Sequence, residues 1–185
     1  TSTEFDKSTN TITAAAWASA TAMNTGRGRF GASGGKDSAL AAGGYTVPSN
    51  TSNTEKYDGT SWTETGNLPT AKNSFPLIGS QTASIACGGY TPPTYSNASD
   101  TFDGSSWTSA PTMGTGRESA AGSTASPYNA VVVYGGYAAA APNIAGLTEE
   151  FNGTSWSEQN DMPTALLKNG GGGTQTAAIS SGGAP

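Results

Sequence analysis

The chain has 185 residues, of which 11% are charged and 34% hydrophobic, and it carries a net charge of −5. Its eight basic residues are scattered, so the basic footprint required for nucleic acid or an anionic membrane surface is missing. No apolar run approaches the roughly 18 residues of a spanning helix, and the absence of histidine removes Ser-His-Asp triads, Cys-His dyads and histidine-bound zinc or copper.

Taken in order, the chain opens on Thr1 with no signal-peptide pattern. That start reads as a processed chain, an excised piece, or a numbering that begins at the first residue in hand. Tryptophans then stand at 17, 62, 107 and 156, at intervals of 45, 45 and 49. Gly-Gly pairs begin at 43, 88, 135 and 182, at intervals of 45, 47 and 47. Two independent markers keep one phase through four cycles, the mark of a repeat architecture.

Each cycle contains four strand candidates. After each Trp comes a turn with Pro or Met, such as Leu68-Pro69, Pro111-Thr112-Met113 and Met162-Pro163. A small-residue strand follows, for example Ser74 to Ser80. Next is the strand running into Gly-Gly: Ala39 to Ala42, Ala83 to Cys87, Ala130 to Tyr134, Ala177 to Ser181. After a loop, the cycle ends on a hairpin: Tyr57-Asp58-Gly59-Thr60-Ser61-Trp62, Phe102-Asp103-Gly104-Ser105-Ser106-Trp107, and Phe151-Asn152-Gly153-Thr154-Ser155-Trp156. Asp-Gly and Asn-Gly tolerate the positive φ of a tight turn, and the aromatics are strand formers. The unit is expected to be a β-hairpin whose far strand ends in the Trp anchor. No segment has a 3.6-residue apolar period, so the fold class is all-β.

Four short strands in a cycle of this length are expected to form a propeller blade. Here the sequence resembles the kelch-type repeat, whose pattern is matched by Cys87-Gly88-Gly89, Phe102-Asp103, Trp107, Pro111 and Arg117, with Gly135-Gly136 and the other cycles repeating it. The short Asp-Gly-Thr-Ser-Trp form is similar to kelch-like arrays in virion proteins of marine bacteriophages. The resemblance implies one propeller domain over 1–185, with cycles of about 1–44, 45–89, 90–136 and 137–183. From the second Gly to the next Trp is 18, 18 and 20 residues. Running off Pro185 and re-entering at Thr1 gives 19, so residues 1–17 are expected to supply the outer strands of a fourth blade and close the ring. A fragment of a larger ring, or one completed by other chains, fits the same count. In that N-terminal hairpin Ile12 replaces Tyr57 and Ala14 replaces Gly59, while Glu4-Phe5-Asp6 lies too far from Trp17; it is expected to be the weakest edge.

Several residues invite a chemical reading. Trp17, Trp62, Trp107 and Trp156 fit either sugar stacking or packing between blades, and their strict phase favours packing. Arg27, Lys72 and Arg117 follow their tryptophans by ten residues, with Leu166 in the fourth cycle. They are either a cation ring for an anionic ligand or structural contacts to carbonyls and carboxylates, and Leu166 breaks the ring. The acids Glu55, Asp58, Asp100, Asp103, Glu149 and Glu150 recur at repeat positions, so they spread around a ring instead of converging as a glycosidase pair. Cys87 is the single cysteine and reads as a buried small hydrophobe. The loops after Gly-Gly, Tyr45 to Thr54, Tyr90 to Ser99 and Tyr137 to Thr148, vary most and place Tyr45, Tyr90, Tyr95 and Tyr137 on one face, where binding normally resides on a repeat scaffold. The expectation is a non-enzymatic protein without cofactor, metal or catalytic residue, on a virion or outside the cell. It would bind a host surface glycan or protein, or else serve as a structural subunit contacting other virion proteins or further copies of itself.

Overall fold

The computed structural model describes residues 19–139 and 144–185. Counted from one tryptophan position to the next, the first cycle holds β1 (Gly31–Gly35), β2 (Ser38–Ala42), β3 (Tyr45–Thr46), β4 (Ser49–Asn50), β5 (Thr54–Tyr57) and β6 (Trp62–Thr65). The second holds β7 (Leu77–Ser80), β8 (Ala83–Cys87), β9 (Tyr90–Thr91), β10 (Thr94–Tyr95), β11 (Ser99–Phe102) and β12 (Trp107–Ala110). The third holds β13 (Arg117–Glu118), β14 (Ala121–Gly122), β15 (Val131–Tyr134), β16 (Tyr137–Ala138), β17 (Thr148–Phe151) and β18 (Trp156–Gln159). The fourth holds β19 (Gly170–Thr174) and β20 (Ala177–Ser181). No helix occurs among the described residues.

Three antiparallel four-stranded sheets result, ordered β1-β2-β5-β6, β7-β8-β11-β12 and β14-β15-β17-β18, with β19-β20 as a fourth, two-stranded sheet. The expected outer strands of that fourth sheet, and Trp17, lie outside the described residues. Every strand running into Gly-Gly is present, and both glycines of each pair have positive φ, as at Gly88 (66°) and Gly89 (105°). Side chains alternate across a strand, so each sheet offers apolar residues to both neighbours. Leu40, Leu77 and Phe102 pack in one buried cluster between the first and second sheets. Ile78, Ile85, Val131 and Phe151 pack in the next, between the second and third.

Backbone hydrogen bonds stitch each sheet to its successor. Gly44 N–H donates to Lys72 O (2.9 Å), Gly89 N–H to Arg117 O (2.9 Å) and Gly136 N–H to Leu166 O (2.8 Å). Among the described residues no such bond joins Gly183 to Arg27. The strands β1, β7, β14 and β19 approach closely: a Cβ on Gly31 would lie 2.5 Å from the Phe75 ring, and one on Gly171 would lie 2.3 Å from Gly122 O. Glycine is needed there for space.

The hairpins differ from expectation in two respects. Tyr57 faces Trp62, Phe102 faces Trp107 and Phe151 faces Trp156 in register, so the Trp opens the far strand. The loop between them has four residues, and only its glycine (Gly59, Gly104 or Gly153) takes positive φ. The acid instead stays in ordinary backbone space and uses its side chain. Asp103 Oδ1 accepts from Ser105 N–H and Ser106 N–H, both at 2.8 Å, and Asn152 Oδ1 accepts from Thr154 N–H and Ser155 N–H, both at 2.9 Å. This is an Asx-type turn, and it explains the two small hydroxyl residues.

Candidate functional site

The cations ten residues after the first three tryptophans are consumed by the fold. Arg27 Nη2 pairs with Glu55 at 2.9 Å, Lys72 Nζ with Asp100 at 2.9 Å and Arg117 Nη2 with Glu149 at 2.6 Å. Lys72 and Arg117 are 1% and 0% exposed, so neither presents charge to a ligand. The longer guanidinium meets Glu and also reaches carbonyls, as Arg117 Nη1 does at Leu147 O (2.7 Å). Burial pulls the Arg117 pKa downward, against the attraction of Glu149. The acids do further work: Glu149 also accepts from Gly114 N–H (2.6 Å) and Thr115 N–H (3.3 Å), and Glu55 accepts from Asn24 N–H (2.7 Å). Glu55 and Glu149 therefore each anchor the turn that follows a tryptophan position, whereas Asp100 accepts instead from Ser109 Oγ (3.4 Å).

Trp62, Trp107 and Trp156 are half-buried. Each lies 5.0–5.2 Å, centroid to centroid, from the aromatic across its hairpin. Trp107 Nε1–H donates to Thr54 Oγ1 and Trp156 Nε1–H to Pro111 O, both at 3.0 Å. The indoles thus sit between neighbouring sheets, with the nitrogen committed to the preceding one. Cys87 is buried, and desolvation pushes its thiol up to about 12.

The loops after Gly-Gly bring three tyrosines together. The Tyr90 and Tyr95 rings are 5.3 Å apart and the Tyr95 and Tyr137 rings 5.2 Å apart, all tilted. Tyr90 and Tyr95 face each other across the short β9–β10 hairpin, and Tyr137 arrives from the next cycle by pairing with Glu118 across β13–β16. All three are half-buried, and crowding by one another and by Glu118 adds to burial in raising the Tyr95 pKa. Tyr45 stands outside this cluster and is 37% exposed.

Glu118, the strand partner of Tyr137, lines a cavity of about 550 Å³ to which all four cycles contribute, through Arg29, Ser74, Ser119 and Lys168. These four residues share φ values of 56°, 55°, 55° and 56°, a region uncommon outside glycine. Ser74 N–H donates to Arg29 O (2.8 Å), Ser119 N–H to Ser74 O (2.7 Å) and Lys168 N–H to Ser119 O (2.9 Å). Asn169 and Phe75 also line the cavity. Sequence reading missed this set, although each member follows a tryptophan by twelve residues; Arg, Ser, Ser and Lys share no single residue type to draw the eye.

The chain matches no family model and no curated protein.

Proposed function

We propose that the four sheets are blades of one kelch-like propeller and that the loops after its Gly-Gly pairs form a recognition face. In this reading the protein is a non-enzymatic virion or extracellular surface protein that binds a host glycan or protein. The observation that carries the reading is the Tyr90–Tyr95–Tyr137 cluster, three amphipathic rings gathered from two cycles on one face. Such rings provide contact area and a hydroxyl with little conformational entropy to lose. The test is glycan-array and host-cell binding by the intact chain. Tyr95→Ala should weaken capture about tenfold, the effect of losing roughly 1.4 kcal/mol at a contact residue. Unchanged binding by that variant would remove the cluster from the site.

Closure of the ring by residues 1–17 belongs to the same proposal. The acid of each buried pair stands seven residues before a tryptophan, at Glu55, Asp100 and Glu149, and the same step before Trp17 falls on Asn10. The cation missing at Leu166 is thus matched by an acid missing at Asn10, as expected of two residues facing each other in the fourth blade. Light scattering with small-angle X-ray scattering tests it, since a compact monomeric disc is expected.

A second reading, a structural subunit, is favoured by the fourth sheet. Among the described residues β20 has one strand neighbour, and Ile179 on it is 66% exposed. If residues 1–17 do not pair there, that strand edge is a template for another chain. Polymer formed by the purified chain would put this reading first.

A further inference from the structure

Seven basic residues fall within the described part of the chain, and five are committed. Arg27, Lys72 and Arg117 hold the buried pairs, Lys36 pairs with Asp37, and Lys56 Nζ donates to Gly104 O at 3.0 Å. Arg29 and Lys168 are the two described basic residues whose side chains make neither a hydrogen bond nor an ion pair with another described residue. Both are exposed, and both line the same cavity from opposite ends of the chain. In this fold a cation that serves structure is matched to a carboxylate or a carbonyl. Two such cations lining one concave site favour an anion there.

We propose that this cavity is an anion subsite that takes the carboxylate or sulfate of an acidic sugar, with Arg29 and Lys168 as its cationic ligands. This deepens the recognition reading and rests on it for the word sugar. Two cations suit a single anionic substituent, whereas a polyanion such as nucleic acid requires a continuous basic track. Guanidinium binds the planar carboxylate through paired N–H groups, and ammonium adds a point charge. The remaining wall is polar in the opposite sense. Glu118 lines the cavity and stands in register with Tyr137 of the tyrosine cluster. A carboxylate there repels a second anion and accepts hydrogen bonds from hydroxyls. In this proposal the anionic group meets Arg29 and Lys168, and hydroxyls of the same sugar meet Glu118. Asn169 adds a buried Oδ1 without a protein partner at the same wall.

The experiment is a ¹⁵N NMR titration of the full chain with D-galacturonate, D-galactose 6-sulfate and D-galactose, following the backbone amides of Ser119 and Lys168. Both acidic sugars should shift these amides saturably, at least tenfold more tightly than galactose, and the ratio of their affinities tells carboxylate from sulfate. The double variant Arg29→Gln, Lys168→Gln should lose that preference while its remaining spectrum is unchanged, because both side chains are exposed and pair with no other described residue. Equal affinity for acidic and neutral sugar, no response of these amides, or a preference that survives in the double variant would overturn the subsite. If glycans bind through the tyrosines without preference for acid, the subsite fails and the recognition reading stands. If array and cell binding are blank while both acidic sugars still shift the two amides and the double variant abolishes the shift, the anion site stands and the recognition reading fails.

Discussion

Asp103 accepts two backbone N–H groups and the hydroxyls of Ser105 and Ser106, and those bonds hold its carboxyl well below the usual carboxylate range. A carboxylate depressed in the folded state contributes stability that is fully present above its unfolded value of about 3.9 and is lost as pH falls below it. Asp103→Asn imitates Asn152 and keeps the turn uncharged. Urea midpoints of wild type and variant should therefore differ most at neutral pH and converge below about pH 4; a constant gap would show that the charge contributes nothing. The buried pairs respond differently. Arg117→Leu leaves Glu149 uncompensated and should cost about 3–5 kcal/mol, whereas adding Glu149→Gln should recover a large part of that loss. A double-mutant cycle by chemical denaturation measures the coupling, and additive losses would refute it. Cys87 is buried with its thiol pushed up to about 12; the expected result is alkylation at neutral pH only after denaturation, read by mass spectrometry. At this scale the sequence showed which residues recur. It did not show that Arg27 meets Glu55 and Lys72 meets Asp100, because each pair spans 28 residues and no local pattern links its members.

At the level of strands, β8 and β20 match their sequence-predicted bounds, and β2 and β15 match to one residue. Apolar runs ending on Gly-Gly are strong local signals. The hairpins β3–β4 and β9–β10 fall where the sequence suggests loops, since two-residue strands of Tyr, Thr, Ser and Asn have no periodicity to detect. The third cycle's β14 keeps only two residues, although the preceding cycle has four in β7. Close approach between sheets was also illegible, because a glycine required by a neighbouring sheet looks like any other. Gly171→Ala is the corresponding test. Its Cβ would lie 2.3 Å from Gly122 O, a backbone atom that has no rotamer to change, so a loss of about 1–3 kcal/mol is expected. An unchanged denaturation midpoint would mean that the third and fourth sheets are less tightly apposed than this spacing requires.

For the whole molecule, the even phase of tryptophan and Gly-Gly gave four cycles, and three complete sheets follow it. Phase alone says nothing about what completes the fourth. Removing residues 1–17 should lower the thermal midpoint and turn a monodisperse chain into a self-associating one through the edge of β20. Size-exclusion chromatography with light scattering reads that outcome, and a monomer of unchanged midpoint would refute closure by this segment. The stitches from Gly44 to Lys72, Gly89 to Arg117 and Gly136 to Leu166 also have a mechanical meaning. Each sheet is tied to its sequence neighbours, as in linear repeat proteins. Under tension applied between the chain ends, rupture therefore proceeds one sheet at a time. Each event releases a cycle of about 45 residues, or roughly 150–160 Å of extended chain. In a single-molecule stretching trace the molecule is expected to act as a short row of fuses, lengthening in steps of similar size as its sheets give way in turn.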